Sequence, residues 1–281
     1  MARPSSADKR QTFRELHASG CFAIPNPWNV GSARYLQGLG FKALATTSSG
    51  FAHSLGQSDG EVTRDMVLAH CRELAEAADV PLNADFEGGF ADDPAEVADN
   101  VRLCVDTGVA GLSIEDFTGD EADPLYDFDL ALKRVRTARD AIDRTGTGVV
   151  FCARTEGFIH GRPDLDETIR RLKAFADAGA DCLYAPGIKT REQIEAVVKA
   201  VAPKPVNFLN SGAFGFTVGD LAAMGVRRIS VGGTLARVAM HAFIKSARDI
   251  ADPGKFDSFA GVMPNAELNT FFHDDLKKRQ S

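Results

Sequence analysis

One local pattern recurs along the chain: an amphipathic helical stretch ends at a glycine, and a short apolar run follows it. It is present in Leu36–Ser48, Asp106–Asp116, Asp177–Gly187 and Ala223–Gly233. Glycine readily adopts the left-handed conformation that ends a helix, and an unbroken apolar run suits a strand covered on both faces. Alternating helices and buried strands imply a parallel sheet.

Eight apolar runs of this kind follow one another at similar spacing. They are Phe22–Pro25, Ala43–Thr47, Leu82–Glu87, Gly111–Glu115, Val149–Arg154, Cys182–Ala185, Val206–Leu209 and Arg228–Val231. Eight β/α units favour a closed (β/α)8 barrel over an open doubly wound sheet. Because no linker rich in Pro, Gly or Ser divides the 281 residues, we expect one domain, 1–281. We assign residues 20–250 to the barrel core. Residues 252–281 break the period of the β/α units and are assigned to a C-terminal helical extension.

Composition narrows the class of function. The net charge is −7, and the small cationic end at Lys277, Lys278 and Arg279 does not resemble a nucleic-acid footprint. No apolar run reaches membrane-spanning length, and the first residues lack the apolar core of a signal peptide. The five cysteines form no CxxC pair, and an odd number argues against a disulfide framework. We therefore expect a cytoplasmic protein that binds neither nucleic acid nor membrane.

Polar side chains gather at the predicted carboxyl ends of the strands, where barrel enzymes place their chemistry. In the stretch NADFEGGF, strand alternation puts Asn83, Asp85 and Glu87 on the face toward the barrel mouth and Phe86 on the other. The glycine pair that follows lets the loop turn away without crowding a ligand. Other strands also end in polar residues: the hydroxyl-rich Thr46–Gly50, the pair Glu115 and Asp116, Arg154, and Asn207.

Acids packed this closely repel one another, so a hard divalent cation is predicted to hold them. Oxygen ligands suit Mg²⁺ or Mn²⁺, and the lack of a His/Cys cluster argues against zinc. A structural alternative stays open, in which Asp85 and Glu87 pair with Arg154 inside the barrel. Asp116 is likewise a candidate cap for the next turn, and Trp28 a candidate packing residue at the first strand–helix turn.

In their order and spacing these segments resemble the isocitrate lyase/phosphoenolpyruvate mutase superfamily, from about Ala23 to Arg237. The resemblance is carried by Asn26–Arg34, Thr46–Phe51, Asp59, Asn83–Phe90, Ser113–Asp116, Cys152–Thr155 and Asn207. It implies an α/β barrel that binds a small 2-oxo carboxylate or its enolate through Mg²⁺ and cleaves the adjacent C–C or P–C bond. It also implies a homo-oligomer, a dimer or tetramer, in which the C-terminal helices swap between subunits.

The resemblance implies a metal site built from acids. Asp85 resembles the direct metal ligand, and Glu87 and Glu115 resemble the acids that hold the metal's water molecules. Asp59 resembles a further acid near the metal shell.

The resemblance also implies the contacts of the substrate. Ser49, with the backbone N–H groups of Gly50 and Phe51, resembles the clamp on the substrate carboxylate. Arg154 resembles the cation that stabilises the developing enolate oxygen. The remaining predicted substrate contacts are Asn207 and Trp28.

Departures from the superfamily pattern limit the reaction. The loop 116–129 contains neither the Cys and His of the lyases nor the Asn-Ser pair of the mutase, and Pro186 stands where lyases place a Glu. Glu87 and Glu156 stand where Asp is usual. These differences favour a smaller 2-oxo acid such as oxaloacetate, decarboxylated or hydrolysed, with Thr118 or Asp120 positioning the water.

Two other functions stay open. A barrel that kept its metal clamp but lost its acid/base groups would bind a 2-oxo acid without turning it over. A sugar-phosphate barrel enzyme is suggested by the glycines of Ser230–Arg237, because barrels often bind phosphate after the eighth strand. The phosphate hypothesis leaves the acids Asp85, Glu87 and Glu115 unexplained.

Overall fold

The computed structural model describes residues 3–280, which form eight parallel strands surrounded by helices. The strands are β1 (Phe22–Ile24), β2 (Leu44–Ala45), β3 (Leu82–Asp85), β4 (Gly111–Glu115), β5 (Val150–Arg154), β6 (Cys182–Tyr184), β7 (Val206–Leu209) and β8 (Arg228–Ser230). The helices of the same residues are α1 (Ser6–Ala18), α2 (Val30–Gly38), α3 (Ser48–Ser54), α4 (Arg64–Ala77), α5 (Pro94–Val105), α6 (Phe128–Arg144), α7 (Leu165–Asp177), α8 (Arg191–Val201), α9 (Val218–Ala223), α10 (Thr234–Ala251) and α11 (Asn265–Gln280). Residues 1, 2 and 281 of the predicted domain lie outside this description.

The strands pair in the order β1-β8-β7-β6-β5-β4-β3-β2, so β1 and β2 stand at the two ends of the ladder. The seam between them is closed by a backbone hydrogen bond from the Ala45 N–H to the Pro25 carbonyl, at 3.1 Å. The side chain of Asn26 reinforces the seam, because Nδ2 donates to the Thr46 carbonyl at 2.8 Å. On the other side, Oδ1 of Asn26 accepts from the Val231 N–H at 3.0 Å and ties the end of β1 to the end of β8. The predicted (β/α)8 barrel is confirmed.

Alternation along the strands separates two environments. On β4, Leu112 and Ile114 are buried in the main hydrophobic cluster between strands and helices, whereas Ser113 lines the barrel interior. Phe86, just past β3, is fully buried in the same outer cluster. Burying a Leu or Ile side chain contributes about 1.5–3 kcal/mol, so the outer layer holds the helices in place. The interior is free to carry polar groups.

Helix α1 closes the end of the barrel where the strands begin. Phe13 and His17 of α1 meet Phe22 edge to face, with ring centroids 4.5 Å apart for Phe13–His17 and 5.2 Å for His17–Phe22. At Gly111 a Cβ would lie 2.5 Å from the Phe13 ring. The first residue of β4 therefore has to be glycine for α1 to pack against the barrel. His17 Nδ1 donates to the Phe13 carbonyl at 2.7 Å, which leaves Nε2 facing the guanidinium of Arg228 at 3.5 Å.

The buried His17 should make the fold sensitive to acid. Burial, then Arg228, lowers its pKa from 6.5 to about 3. Between these values the unfolded chain binds a proton that the folded chain does not, so this contribution is complete above pH 6.5 and is lost as the pH falls toward 3. By pH 4.5 the loss is about 2–3 kcal/mol. Urea unfolding at pH 7.5 and 4.5 should show a smaller pH dependence for His17→Leu than for the wild type, and equal dependence would contradict this.

The C-terminal helix α11 packs on α2 of the same chain. The Phe271 ring lies 4.6 Å from that of Tyr35 and covers Gly38, where a Cβ would lie 2.5 Å from the Phe271 ring. Arg34 donates to Asp275 through Nε at 2.7 Å. The swapping of C-terminal helices between subunits and the oligomeric state stay predictions.

Large apolar side chains are exposed on α10 and in the segment after it. Val238 is 61% exposed and Phe243 66% exposed, and Phe256 and Val262 are similar. Across residues 3–280 no helix has both the length and the apolar character needed to cross a membrane.

Candidate active site

A cavity of about 180 Å³ opens where the strands end and reaches into the barrel interior. Near the mouth its walls carry Ser49, Asp59, Asp85 and Arg154, all of which the sequence predicted as site residues. Deeper in the barrel the walls include Asn83, Tyr184, Asn207, Arg228 and Ser230. The fold therefore brings predicted residues from five different strands and loops to one place.

Arg154, the last residue of β5, is the centre of the charged cluster. Its guanidinium contacts three carboxylates: Asp85 Oδ1 at 2.6 Å, Glu115 Oε2 at 3.0 Å and Glu156 Oε1 at 2.9 Å. One face of the same group lies 4.9 Å from the centre of the Tyr184 ring. Charge-assisted hydrogen bonds of this kind are short and strong, so the orientation of Arg154 is fixed from several sides.

Asp85, the last residue of β3, is fixed by hydrogen bonds of its side chain and of its backbone. Its Oδ2 accepts from the Ser48 N–H at 3.2 Å, and its backbone N–H donates to Thr46 Oγ1 at 2.8 Å. The contact of Asp85 with Arg154 is one half of the structural pairing that the sequence left as an alternative; among residues 3–280 Glu87, the other half, forms no ion pair with Arg154.

Glu87 does not share a strand face with Asp85, which corrects the predicted strand Leu82–Glu87. Strand β3 ends at Asp85, and Glu87 has a left-handed backbone with φ of 46°. Its carbonyl accepts from the Glu115 N–H at 3.0 Å, so the turn after β3 ties it to β4. Burial, then the nearby Asp85 and Asp59, raises the pKa of the Glu87 side chain to about 8. Glu87 thus reaches the acid cluster through a strained turn.

The cluster contains more carboxylates than the charge of one arginine can neutralise. Burial raises the pKa of Glu115 despite the opposing effect of Arg154, and burial also raises the pKa of Asp59. Bringing five carboxylates (Asp59, Asp85, Glu87, Glu115 and Glu156) close to one guanidinium is costly unless a further cation compensates them. Their all-oxygen chemistry fits Mg²⁺ or Mn²⁺.

The arrangement of these acids fits one direct metal contact better than several. Within residues 3–280 no three His, Cys, Asp or Glu side chains are grouped so as to hold an ion directly. Asp85 and Glu115 each give an oxygen to Arg154, while Glu87 lies to one side. The predicted division of roles, in which Asp85 contacts the metal and Glu87 and Glu115 act through water, stays a prediction.

The predicted clamp on the substrate carboxylate is only partly available. Ser49 lines the cavity, and its hydroxyl lies 3.3 Å from that of Thr47. The N–H of Gly50 donates to Thr47 Oγ1 at 3.3 Å and that of Phe51 to the Thr47 carbonyl at 3.1 Å. These two N–H groups are therefore used in the first turn of α3, which corrects the expectation that they face the ligand.

Trp28 lies outside the polar cavity, beside Gly50 and Ala236 in a separate apolar hollow formed with α10. At Gly50 a Cβ would approach the Cβ atoms of Trp28 and Ala236 to 3.3 and 3.2 Å, so glycine permits this packing. The structure therefore places Trp28 as a packing residue, the reading that the sequence had left open.

The hydroxyl and the N–H of Thr118 both form hydrogen bonds within the loop that contains it. Its hydroxyl donates to the Asp123 carbonyl at 2.7 Å, and its N–H donates to the Pro124 carbonyl at 3.0 Å. An isolated bridge pairs Phe117 with Leu125, which makes the loop a small hairpin. Neither Thr118 nor the exposed Asp120 lines the cavity, so the loop as it stands does not present a water-positioning group there.

Four residues of the site were not among the predicted metal or substrate contacts. Asp116 does not cap α6, whose cap is Asp127; it is buried and accepts from Thr155, from the Glu156 N–H and from Arg171. Glu156 pairs with Arg154. The other two, Tyr184 and Arg228, line the cavity, and the alternation rule applied to β6 and β8 would have pointed both of them inward.

An eight-stranded α/β barrel with a carboxylate–arginine cluster at the carboxyl ends of its strands has the architecture of a barrel enzyme with a small, polar site. The chain belongs to the phosphoenolpyruvate phosphomutase family, whose model matches residues 13–251, within the phosphoenolpyruvate mutase/isocitrate lyase superfamily.

Three relatives illustrate the range of that superfamily. A crystal structure described as a putative lyase/mutase from Burkholderia cenocepacia is 44% identical, with a TM-score of 0.92 over 95% of this chain and 97% of the other. An oxaloacetate decarboxylase of Rhodopseudomonas palustris is 28% identical over 93% of this chain and 91% of its own. A structure of oxaloacetate acetylhydrolase with its product oxalate is 27% identical, with a TM-score of 0.85 over 99% of each chain.

Proposed function

We propose that the protein binds a small 2-oxo carboxylate together with Mg²⁺ or Mn²⁺ and cleaves a C–C or P–C bond of the carbon atom that is attached to the oxo carbon. The observation that carries the proposal is the set of acids around Arg154 at the mouth of a cavity of about 180 Å³. The names of two relatives, an oxaloacetate decarboxylase and an oxaloacetate acetylhydrolase, support a short oxo acid such as oxaloacetate.

Each residue of the cluster has a role in this proposal. Asp85 is the direct metal ligand, Glu87 and Glu115 hold its water molecules, and Asp59 is a further acid beside them. When bound, the cation polarises the oxo group and stabilises negative charge on the carbon where the bond breaks. Arg154, held rigid by three carboxylates, adds positive charge that needs no proton transfer.

The substrate carboxylate is proposed to bind at the side of the cavity that Ser49 lines. Asn207 lines the same cavity at the end of the barrel interior. A water-positioning role for Thr118 requires its loop to rearrange, because the hydroxyl is bound to the Asp123 carbonyl. Decarboxylation, which needs no positioned water, is compatible with the loop as it stands.

Thermal unfolding with candidate ligands tests the proposal. Oxalate, pyruvate, oxaloacetate and inorganic phosphate are each added with Mg²⁺, and again with EDTA in place of the metal. Because a ligand that binds only the folded state raises its stability by about 2.7 kcal/mol at a hundred times Kd, oxalate with Mg²⁺ should raise Tm by several degrees, and EDTA should remove the shift. A shift with phosphate alone that survives EDTA would favour the sugar-phosphate enzyme instead.

Turnover separates the enzyme from a non-catalytic binder. Oxaloacetate or another 2-oxo acid that gives a Mg²⁺-dependent shift is incubated with the protein, and its products are followed by NMR. Formation of pyruvate identifies a decarboxylase, and formation of oxalate with acetate identifies a hydrolase. Binding without either product would support the barrel that binds without catalysis.

A further inference from the structure

We propose that Arg228 is a specificity-determining residue at the floor of the cavity, where its charge favours ligands with two negative charges over ligands with one. The substrate class is then a 2-oxo acid that carries a second acid group. The inference rests on the proposed function in one respect, because it takes the cavity at the acid cluster as the ligand site. It adds the charge that the ligand has to carry.

The guanidinium of Arg228 is a buried cation without a carboxylate partner. The residue is 3% exposed and lines the cavity, and among residues 3–280 no Asp or Glu forms an ion pair with it. Its Nε donates to Asn207 Oδ1 at 2.8 Å, and Nη1 donates to Asn83 Oδ1 at 3.3 Å. These amides satisfy hydrogen bonds but carry no charge, so the positive charge of Arg228 acts on the cavity that it lines.

The ionisable groups around Arg228 are uncharged at a pH slightly below neutral. Burial, then Arg228, lowers the pKa of His17 to about 3, so the imidazole carries no proton charge there. Burial raises the pKa of Cys182 and of Tyr184, which keeps both groups protonated. Burial opposes ionisation of Cys152 as well, but the neighbouring Cys182 and Arg228 outweigh it and lower the pKa of Cys152 to about 7. At pH 6 this thiol is mostly protonated, and the charge of Arg228 is uncompensated.

Arg228 lies deeper in the barrel than the acids at the mouth. Asn83, which Arg228 contacts, stands two residues before Asp85 on β3. Two residues of a strand span about 7 Å, so Arg228 acts from the closed end of the barrel on a ligand bound at Asp85. Two unit charges about 7–10 Å apart, at an effective dielectric constant of about 20, change an affinity by about tenfold to fiftyfold.

The charge of Arg228 has opposite effects on an anionic ligand and on a metal ion. It attracts a carboxylate and repels Mg²⁺ or Mn²⁺, each in proportion to the charge of what binds. Removing it should therefore weaken the binding of a dianion more than that of a monoanion, and should strengthen the binding of the metal. If Arg228 only joined β7 and β3 by hydrogen bonds, its loss would disturb the site and weaken both.

His17→Glu tests the charge without replacing a wall of the cavity. His17 lies on α1 and faces Arg228 with Nε2 3.5 Å from Nη1, so the introduced carboxylate forms an ion pair that offsets the charge. Oxalate and oxamate differ by one negative charge and little in shape, and both are titrated by calorimetry with Mg²⁺ at pH 6. The preference for oxalate should fall by about tenfold or more. His17→Gln, the uncharged control, should keep the preference of the wild type.

Titration of Mg²⁺ into the same proteins without an organic ligand gives the second readout. The dissociation constant of Mg²⁺ should fall by about tenfold or more in His17→Glu, because a doubly charged ion is repelled by Arg228 more strongly than a singly charged one. In His17→Gln it should not change. Weaker binding of both oxalate and Mg²⁺ in His17→Glu would indicate a distorted site and would overturn the proposal.

Replacement of Arg228 itself checks the result from the other side. Arg228→Gln removes the charge and keeps a donor for Asn207, so it should lower the oxalate preference and raise the Mg²⁺ affinity as His17→Glu does. Arg228→Lys keeps the charge and should keep most of the preference. If Arg228→Gln does not fold, the comparison of His17→Glu with His17→Gln decides alone.

The outcomes separate this inference from the proposed function. A wild type that binds neither oxalate nor oxamate with Mg²⁺ contradicts the proposed function. A wild type that binds oxalate, together with folded variants that keep its preference over oxamate, contradicts the role of Arg228 and leaves the proposed function in place.

Discussion

Asp85→Ala is expected to abolish Mg²⁺-dependent oxalate binding while the barrel stays folded. The carboxylate is the proposed direct ligand, and no neighbour can replace it, because Glu115 is held by Arg154 and Glu87 lies on a separate turn. Arg154 keeps two carboxylate partners in the variant, Glu115 and Glu156. We therefore expect a loss of affinity of more than about a hundredfold with a change in stability of about 1–3 kcal/mol.

Calorimetric titration of oxalate into the Mg²⁺-loaded variant measures the first effect, and urea unfolding measures the second. Asp99→Ala removes an exposed acid from α5 and serves as the matched control, with binding and stability like the wild type. Undiminished oxalate binding in Asp85→Ala would show that the metal is held elsewhere.

Arg154→Lys is expected to reduce turnover far more than metal binding. Lysine keeps the charge but is a point cation, whereas the planar guanidinium contacts three carboxylates and the face of Tyr184 at once. At least one buried carboxylate then loses its partner, and the free energy of unfolding should fall by about 3 kcal/mol. Turnover of the 2-oxo acid should fall by at least about a hundredfold, because the positive charge no longer sits at a fixed place.

Steady-state kinetics and Mg²⁺ titration of the same preparation check this difference. Arg102→Lys, an exposed arginine of α5, is the matched control and should change neither quantity. If metal affinity and turnover fall together in Arg154→Lys, the arginine has a structural role only.

The positions of the strands could be predicted because each is a short apolar run bounded by polar or glycine residues. Alternation placed Asp85 and Asn83 in the barrel interior correctly, since both lie within β3. The same rule failed for Glu87, because the strand ends two residues earlier and the backbone turns to a left-handed conformation. A positive φ is uncommon for a residue other than glycine, so the local sequence pattern gives no signal for the turn at Glu87.

Contacts between distant parts of the chain were the hardest to foresee. The N–H groups of Gly50 and Phe51 were expected to face a ligand, but α3 begins at Ser48 and uses them for its own first turn. Arg228 was read only as the first residue of a strand; its partners, Asn207 and Asn83, lie on two other strands. Such partners are set by the closure of the barrel, which no single segment encodes.

The seam between β1 and β2 is a gap in the ring of strand ladders, and it lies beside the proposed ligand site. One backbone bond from Ala45 to Pro25 and one bond from the Asn26 side chain to the Thr46 carbonyl bridge this gap, where the other strands have ladders. A rise in the diameter of the ring at this place would break only those bonds and would leave the other strand pairs intact. The barrel is thus fixed by strand ladders around Arg154 and joined by few bonds on the side of Thr47 and Ser49, so a small change in the diameter of the barrel would be accommodated at the edge of the proposed ligand site.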